Sequence, residues 1–216
     1  MDTLWDFIVD HRRQLATDSW LHASAVVQSV LIAAAIAVTA GVLVYRSPVG
    51  SAAATAAAGI ILTVPSFALL GLLIPVLGLG VPPTVTALVL YALLPILRNT
   101  IVGLAGVDPA VTDAAQGVGM SRLQVLARIE LPLAWPAILA GIRISTQMIM
   151  GILAVAAYAK GPGLGNLIFT GLSRLGSPNA VPQALTGTVL IVVLALALDA
   201  LLLLAGTLTT RGGAHA

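Results

Sequence analysis

Three stretches of this chain, residues 19–45, 47–97 and 175–198, contain no Asp, Glu, Lys or Arg. A helix needs about 20 apolar residues to cross the hydrocarbon core of a bilayer. The middle stretch is too long for one crossing. Hydrophobic residues make up 59% of the sequence and charged residues only 8%, against roughly 25% charged in a typical soluble domain. The pattern predicts an all-α, polytopic membrane protein embedded in the lipid bilayer.

The same composition excludes several functions. There are no cysteines, so neither disulfides nor thiolate metal sites can form, and His11, His22 and His215 are scattered without ligand spacing. The net charge of +2 comes from basic residues spread along the whole chain, without the patch that a nucleic-acid partner would need. Lys160 is the only lysine, and no Gly-x4-Gly-Lys-Ser/Thr run surrounds it. No catalytic residue, metal or cofactor is expected. Gly161-Pro162-Gly163-Leu164-Gly165 follows a membrane helix rather than a strand, which makes it a flexible extracytoplasmic turn and not a dinucleotide loop.

Five spans are predicted: residues 23–45, 52–73, 84–102, 133–158 and 183–204. Gly59 and the alanines of residues 52–58 would let another helix approach the second span closely. Residues 78–83 read as a turn, and Pro95 lies inside the third span. The N-terminal segment, residues 1–22, starts acidic and is broken by Asp6, Asp10 and the His11-Arg12-Arg13 run, so it is not a secretory signal. Leu4, Ile8 and Leu15, with Trp5 nearby, suggest a short helix in the membrane interface. The whole chain, 1–216, reads as one transmembrane domain.

Between the third and fourth spans lies a polar insert, residues 108–132, whose local chemistry spells two short helices. Asp108 is placed to cap a helix that begins at Pro109, where the missing N–H costs nothing. Val111, Ala115 and Val118 share one face, and Gly117 and Gly119 can end the helix in a left-handed turn. Ser121 with Gln124 makes a capping box for the next helix, stapled by Met120 and Val125. A membrane protein that builds a capped hairpin in water is presenting a surface to something.

Asp113-Ala114-Ala115, then Gly119, Ile129 and Leu131-Pro132, keep every spacing of the cytoplasmic loop signature of binding-protein-dependent ABC importers, which this insert resembles. The usual first residue is Glu; here it is Asp113. The resemblance implies a type I importer permease fold in which the hairpin docks on a separate ATPase subunit. It also implies a second permease subunit, an extracytoplasmic substrate-binding protein, and the inner membrane of a prokaryote. The segments 93–100, 106–110 and 161–168 resemble the branch that imports glycine betaine, choline, carnitine and related osmoprotectants. A similar branch imports other small zwitterions such as ergothioneine.

Two charges interrupt apolar segments, Arg143 in the fourth span and Asp199 in the fifth. Such residues are costly in lipid and usually face a bundle interior or a water path. With Asn99 and Gln147 they are the candidate pathway residues; Ser145 and Thr146 are weaker ones. A stand-alone secondary transporter would need coupling carboxylates at mid-depth, where Asp199 is the only acid. Arg46, Arg98, Arg122, Arg128 and Arg211 collect on the hairpin's side, which favours a cytoplasmic hairpin and C-terminus and an external N-terminus. Of the aromatics, only Tyr158 and Phe169 are expected to converge near the outer mouth. Two rings do not make a cage for a quaternary amine, so recognition is expected mainly in the binding protein.

Overall fold

Inside a bilayer no water is available to backbone N–H and C=O groups, so an apolar chain closes its hydrogen bonds within helices. The computed structural model describes residues 4–211, which are almost entirely helical with no strand among them. Asp2 and His215 lie outside the described residues.

A short helix, α1 (Leu4–Asp10), turns at His11 into α2 (Arg12–Val44). At 33 residues, α2 is about 50 Å long at 1.5 Å per residue, longer than the roughly 30 Å hydrocarbon core. Residues 12–22 are therefore not a separate interfacial helix but the first turns of this long one. The corner between α1 and α2 leans on the fifth crossing, with Leu4, Ile8 and Leu15 beside Val189 and Leu190.

The predicted second span is broken. Pro48–Thr63 (α3) and Ser66–Leu77 (α4) meet at 94°. Pro65 supplies no N–H to the turn before it, and the Val64 carbonyl freed by the break accepts a hydrogen bond from the Tyr91 hydroxyl. Next come α5 (Val81–Ala105), the insert, α8 (Leu131–Val155), a tight turn at Ala156–Ala159, α9 (Gly165–Ser173) and α10 (Ala180–Arg211). The insert holds α6 (Pro109–Gly117) and α7 (Arg122–Val125).

Side-chain partners fix which ends lie together. Tyr45 and Arg46, just past α2, meet Glu130 just before α8. At the far end, the Gly80 N–H donates to Ala159 O at 2.8 Å, and Gly163 packs against His22. Counting the bent α3–α4 pair as one, the chain passes five times between these ends, and the described termini fall on opposite ends.

The core forms where α5 packs against α2 and α8, around Ala87, Leu88, Tyr91, Ala92 and Ile96. Close approach comes from small residues, as expected where lipid supplies no hydrophobic drive between helices. A Cβ on Gly141 would lie 2.8 Å from Pro95 O, so nothing larger fits where α8 crosses α5. Gly59, expected to serve this purpose, faces open space instead. Its helix is largely uncovered, with Ala58 the one residue fully buried in it. The outermost helix is α10, which rests on α8 and α9.

Candidate functional site

The insert folds as its capping chemistry requires. The Asp108 carboxylate accepts from the Ala110 N–H at 2.8 Å, with Pro109 in the first turn of α6. Gly119 takes φ +92° and turns the chain, whereas Gly117 stays helical. The Ser121 N–H donates to Gln124 Oε1 at 2.8 Å, and the Gln124 N–H donates back to the Ser121 hydroxyl at 3.3 Å. Both caps are local, so the hairpin needs few contacts with the rest of the protein to hold its shape.

Of the hairpin positions singled out above, Asp113, Ala114, Gly119 and Pro132 are exposed, Ile129 and Leu131 half-buried, and Ala115 buried. Of the three residues expected to share one face, Ala115 is buried while Val111 and Val118 are exposed, as is Leu123. A water-side hairpin this short cannot bury its apolar face alone. The structure thus leaves a mixed patch of Asp113, Val118 and Leu123 uncovered at one end of the bundle.

Between α7 and α8, residues Leu126–Glu130 form a wide π-turn, in which the Leu131 N–H reaches back five residues to Leu126 O. Pro132 has no N–H for the Arg128 carbonyl, so a regular α-ladder cannot run through this point. The turn aims Glu130 inward, where it is 5% exposed. Its carboxylate accepts from the Tyr45 hydroxyl at 2.7 Å and from Arg46 Nη2 at 3.1 Å on both oxygens. These charge-assisted bonds tie the hairpin's exit to the end of α2. Burial, and then the bond to Glu130, push the Tyr45 phenol up to about 12. Sequence reasoning passed over Glu130; the signal was an acid between Ile129 and Leu131, among apolar neighbours that leave it no water.

In the membrane-crossing part, Arg143 Nε donates to Asp199 Oδ1 and Nη2 to Oδ2, both at 2.9 Å, a bidentate pair joining α8 to α10. Gln147, one turn along α8, lies close to Asp199. Asn99 does not join this cluster. Its amide donates to Pro95 O of its own helix, and its Cβ lies against Gly141. Ser145 bonds across to Ala92 O of α5, and Thr146 bonds back to Ile142 O. The first bond joins α8 to α5, and the second stays within α8.

The glycine-rich connection at the other end is tightly packed rather than flexible. A Cβ on Gly161 would lie 2.7 Å from Ala156 O, and one on Gly163, at φ +98°, would lie 2.7 Å from His22 Cβ. Asn166 Nδ2 donates to Gly161 O and Gly163 O, closing the corner. Beside it the break at Pro65 brings in a third ring. Phe67 packs edge-on to Tyr158 with centroids 4.6 Å apart, and Tyr158 packs on Phe169 at 5.8 Å. The expectation of two converging aromatics was too low, because a straight second span would not have delivered Phe67 here.

Residues 29–206 match the family described as binding-protein-dependent transport system inner membrane component. The chain belongs to that family. Curated relatives cover nearly the whole of both chains. The osmoprotectant import permease protein OsmW of Salmonella typhimurium is 39% identical over 94% of this chain and 94% of its own. The carnitine transport permease protein OpuCB of Listeria monocytogenes is 36% identical, over 93% and 92%. The choline transport system permease protein OpuBB of Bacillus subtilis is 35% identical, over 99% and 96%. Among solved structures, inward-facing conformations of the MetNI methionine ABC transporter superpose with TM-scores of 0.72 and 0.76 at 22% and 20% identity. Those matches cover 92% and 94% of this chain, and 95% and 97% of theirs. At that identity they speak for the fold alone, that of a type I importer permease. The family match leaves out α1 and the first half of α2, which include the expected interfacial segment 1–22 and the start of the first predicted span.

Proposed function

We propose that the chain is the membrane-spanning permease subunit of an ATP-driven importer for quaternary-ammonium osmoprotectants, the class of glycine betaine, carnitine and choline. The observation that carries this reading is the set of relatives named for carnitine, osmoprotectant and choline import, each aligned over more than nine-tenths of both chains. ATP would be bound and hydrolysed in partner ATPase subunits that dock on Asp113, Ala114, Gly119 and the neighbouring hairpin surface. A second permease subunit would complete the pathway, and an extracytoplasmic binding protein would deliver substrate.

The hairpin end is placed in the cytoplasm, with the C-terminus, and the N-terminus outside. Arg46, Arg98, Arg122 and Arg128 lie toward the hairpin end, against Arg12, Arg13, Lys160 and Arg174 toward the other, where Asp6, Asp10 and Asp18 dilute the N-terminal pair. Closure of the ATPases would push paired hairpins together. Through the Glu130 clamp and α8, that push would rock the spans about a pathway containing Arg143, Gln147, Asp199 and Asn99 as rigid units. The test is uptake: the permease, expressed with the ATPase and binding protein encoded beside it, in a strain stripped of osmoprotectant uptake. Energy-dependent accumulation of labelled glycine betaine or choline is expected. Accumulation of neither, with all subunits present in the membrane, would reject the substrate class.

A further inference from the structure

We propose that Phe67, Tyr158 and Phe169 form a transit site for the trimethylammonium group of the substrate, at the end of the bundle opposite the hairpin. The inference rests on the substrate class proposed above and adds to it a site within the permease. The rings come from three separate elements: Phe67 from the first turn of α4, Tyr158 from the tight turn after α8, and Phe169 from α9. They meet at steep angles, 61° and 74° between ring planes, so each pair leaves a π-face uncovered. Tyr158 is 68% exposed and Phe67 47%, which core packing would not leave open. A π-face carries the negative side of the ring quadrupole and attracts a cation within about 6 Å of the centroid.

Two further observations place this cluster on a path and not against lipid. Thr63 and Pro65, at the break in the second span, are exposed. Irregular backbone at membrane depth is tolerated where it is buried in protein or lines a watery cavity, but not where it faces lipid. With the break at that depth, the rings would flank a wet or subunit-covered region. In addition, residues 66–77, 156–159 and 165–173 contain no Asp or Glu. A cation here would be held by ring faces, weakly enough to leave again, as a path requires. Lys160, which directly follows the second of these segments, is exposed at the end of Tyr158's turn and makes no ion pair among the described residues. It opposes a bare cation and suits the carboxylate of a zwitterion.

The experiment uses the permease–ATPase complex in nanodiscs without its binding protein, with glycine betaine and its uncharged-head isostere 3,3-dimethylbutanoate as probes. Calorimetry should show millimolar binding of glycine betaine, about −4 kcal/mol, and binding of the isostere at least fivefold weaker. Tyr158→Leu and Phe67→Leu should each weaken glycine betaine binding about fivefold while Tyr158→Phe holds within twofold. Equal binding of the two probes to the native protein would overturn the site, and this comparison needs no variant to fold. So would unchanged binding in both leucine variants. Failure of the substrate class itself is read separately, as absent uptake by the complete system.

Discussion

The two ends of this molecule are built by opposite means. At the hairpin end, shape comes from residues two to three positions apart: Asp108 with Ala110, and Ser121 with Gln124. The resulting surface is exposed, and Gly119 turns in open space. The far end depends in addition on contacts between distant residues. His22 contacts Gly163, Gly80 bonds to Ala159, and Phe67 packs edge-on to Tyr158, contacts between residues far apart in the chain. A surface that must be pushed by another protein can be encoded in a few residues. An end proposed to receive a small solute is assembled here from several helices.

Two glycines with positive φ test this contrast, because the same kind of substitution should fail in different ways. The larger effect is expected at Gly163, where an added methyl meets both a left-handed backbone and His22. Gly163→Ala should cost about 2–4 kcal/mol through strain and overpacking. A lowered thermal transition of the purified protein and reduced membrane yield would record it. Gly119→Val meets only the backbone penalty, on the order of 1–2 kcal/mol, in a segment that supports little else. Its thermal transition should stay near that of the native protein while uptake is lost. If Gly119→Val unfolded the bundle, or Gly163→Ala left it untouched, the division between a local and an assembled end would fail.

An effect of similar size is expected at the clamp on the hairpin end. Tyr45→Phe removes one donor from buried Glu130, worth about 1–2 kcal/mol. Because the Tyr45 pKa is raised to about 12, its bond contributes fully below the free phenol's pKa of about 10. The contribution is lost only as pH rises through the raised value. The gap in thermal transition between the native protein and Tyr45→Phe should thus be the same at pH 6 and pH 9 and shrink above pH 10. A gap that varied between pH 6 and pH 9 would show that another group controls the clamp.

This contrast also explains which features could be read in the sequence. Charge-free runs and the capping residues of the hairpin act over short distances, so the spans, both caps and the turn at Gly119 were legible. That Arg143 and Asp199 would turn inward was legible from their cost in lipid, whereas their bidentate pairing came from the structure. The break at Pro65 was not legible, because prolines inside helices are common here. Pro95 and Pro136 sit within α5 and α8 without ending them. What separates Pro65 is the Tyr91 hydroxyl waiting for the Val64 carbonyl, a contact 27 residues away. Missing that break hid Phe67, and with it the third ring. Asn99 looked polar enough for a path, yet its own helix satisfies its amide.

The account stands on the hairpin as the surface that receives the ATPase, and site-specific photo-crosslinking asks this directly. A benzophenone side chain at Ala114, which is exposed in α6, would be irradiated in membranes containing the complete transporter. A single adduct is expected with the ATPase subunit, more abundant with trapped nucleotide than without. An adduct with the binding protein instead, or none with the ATPase in membranes that support uptake, would contradict the assignment of this end as the coupling surface.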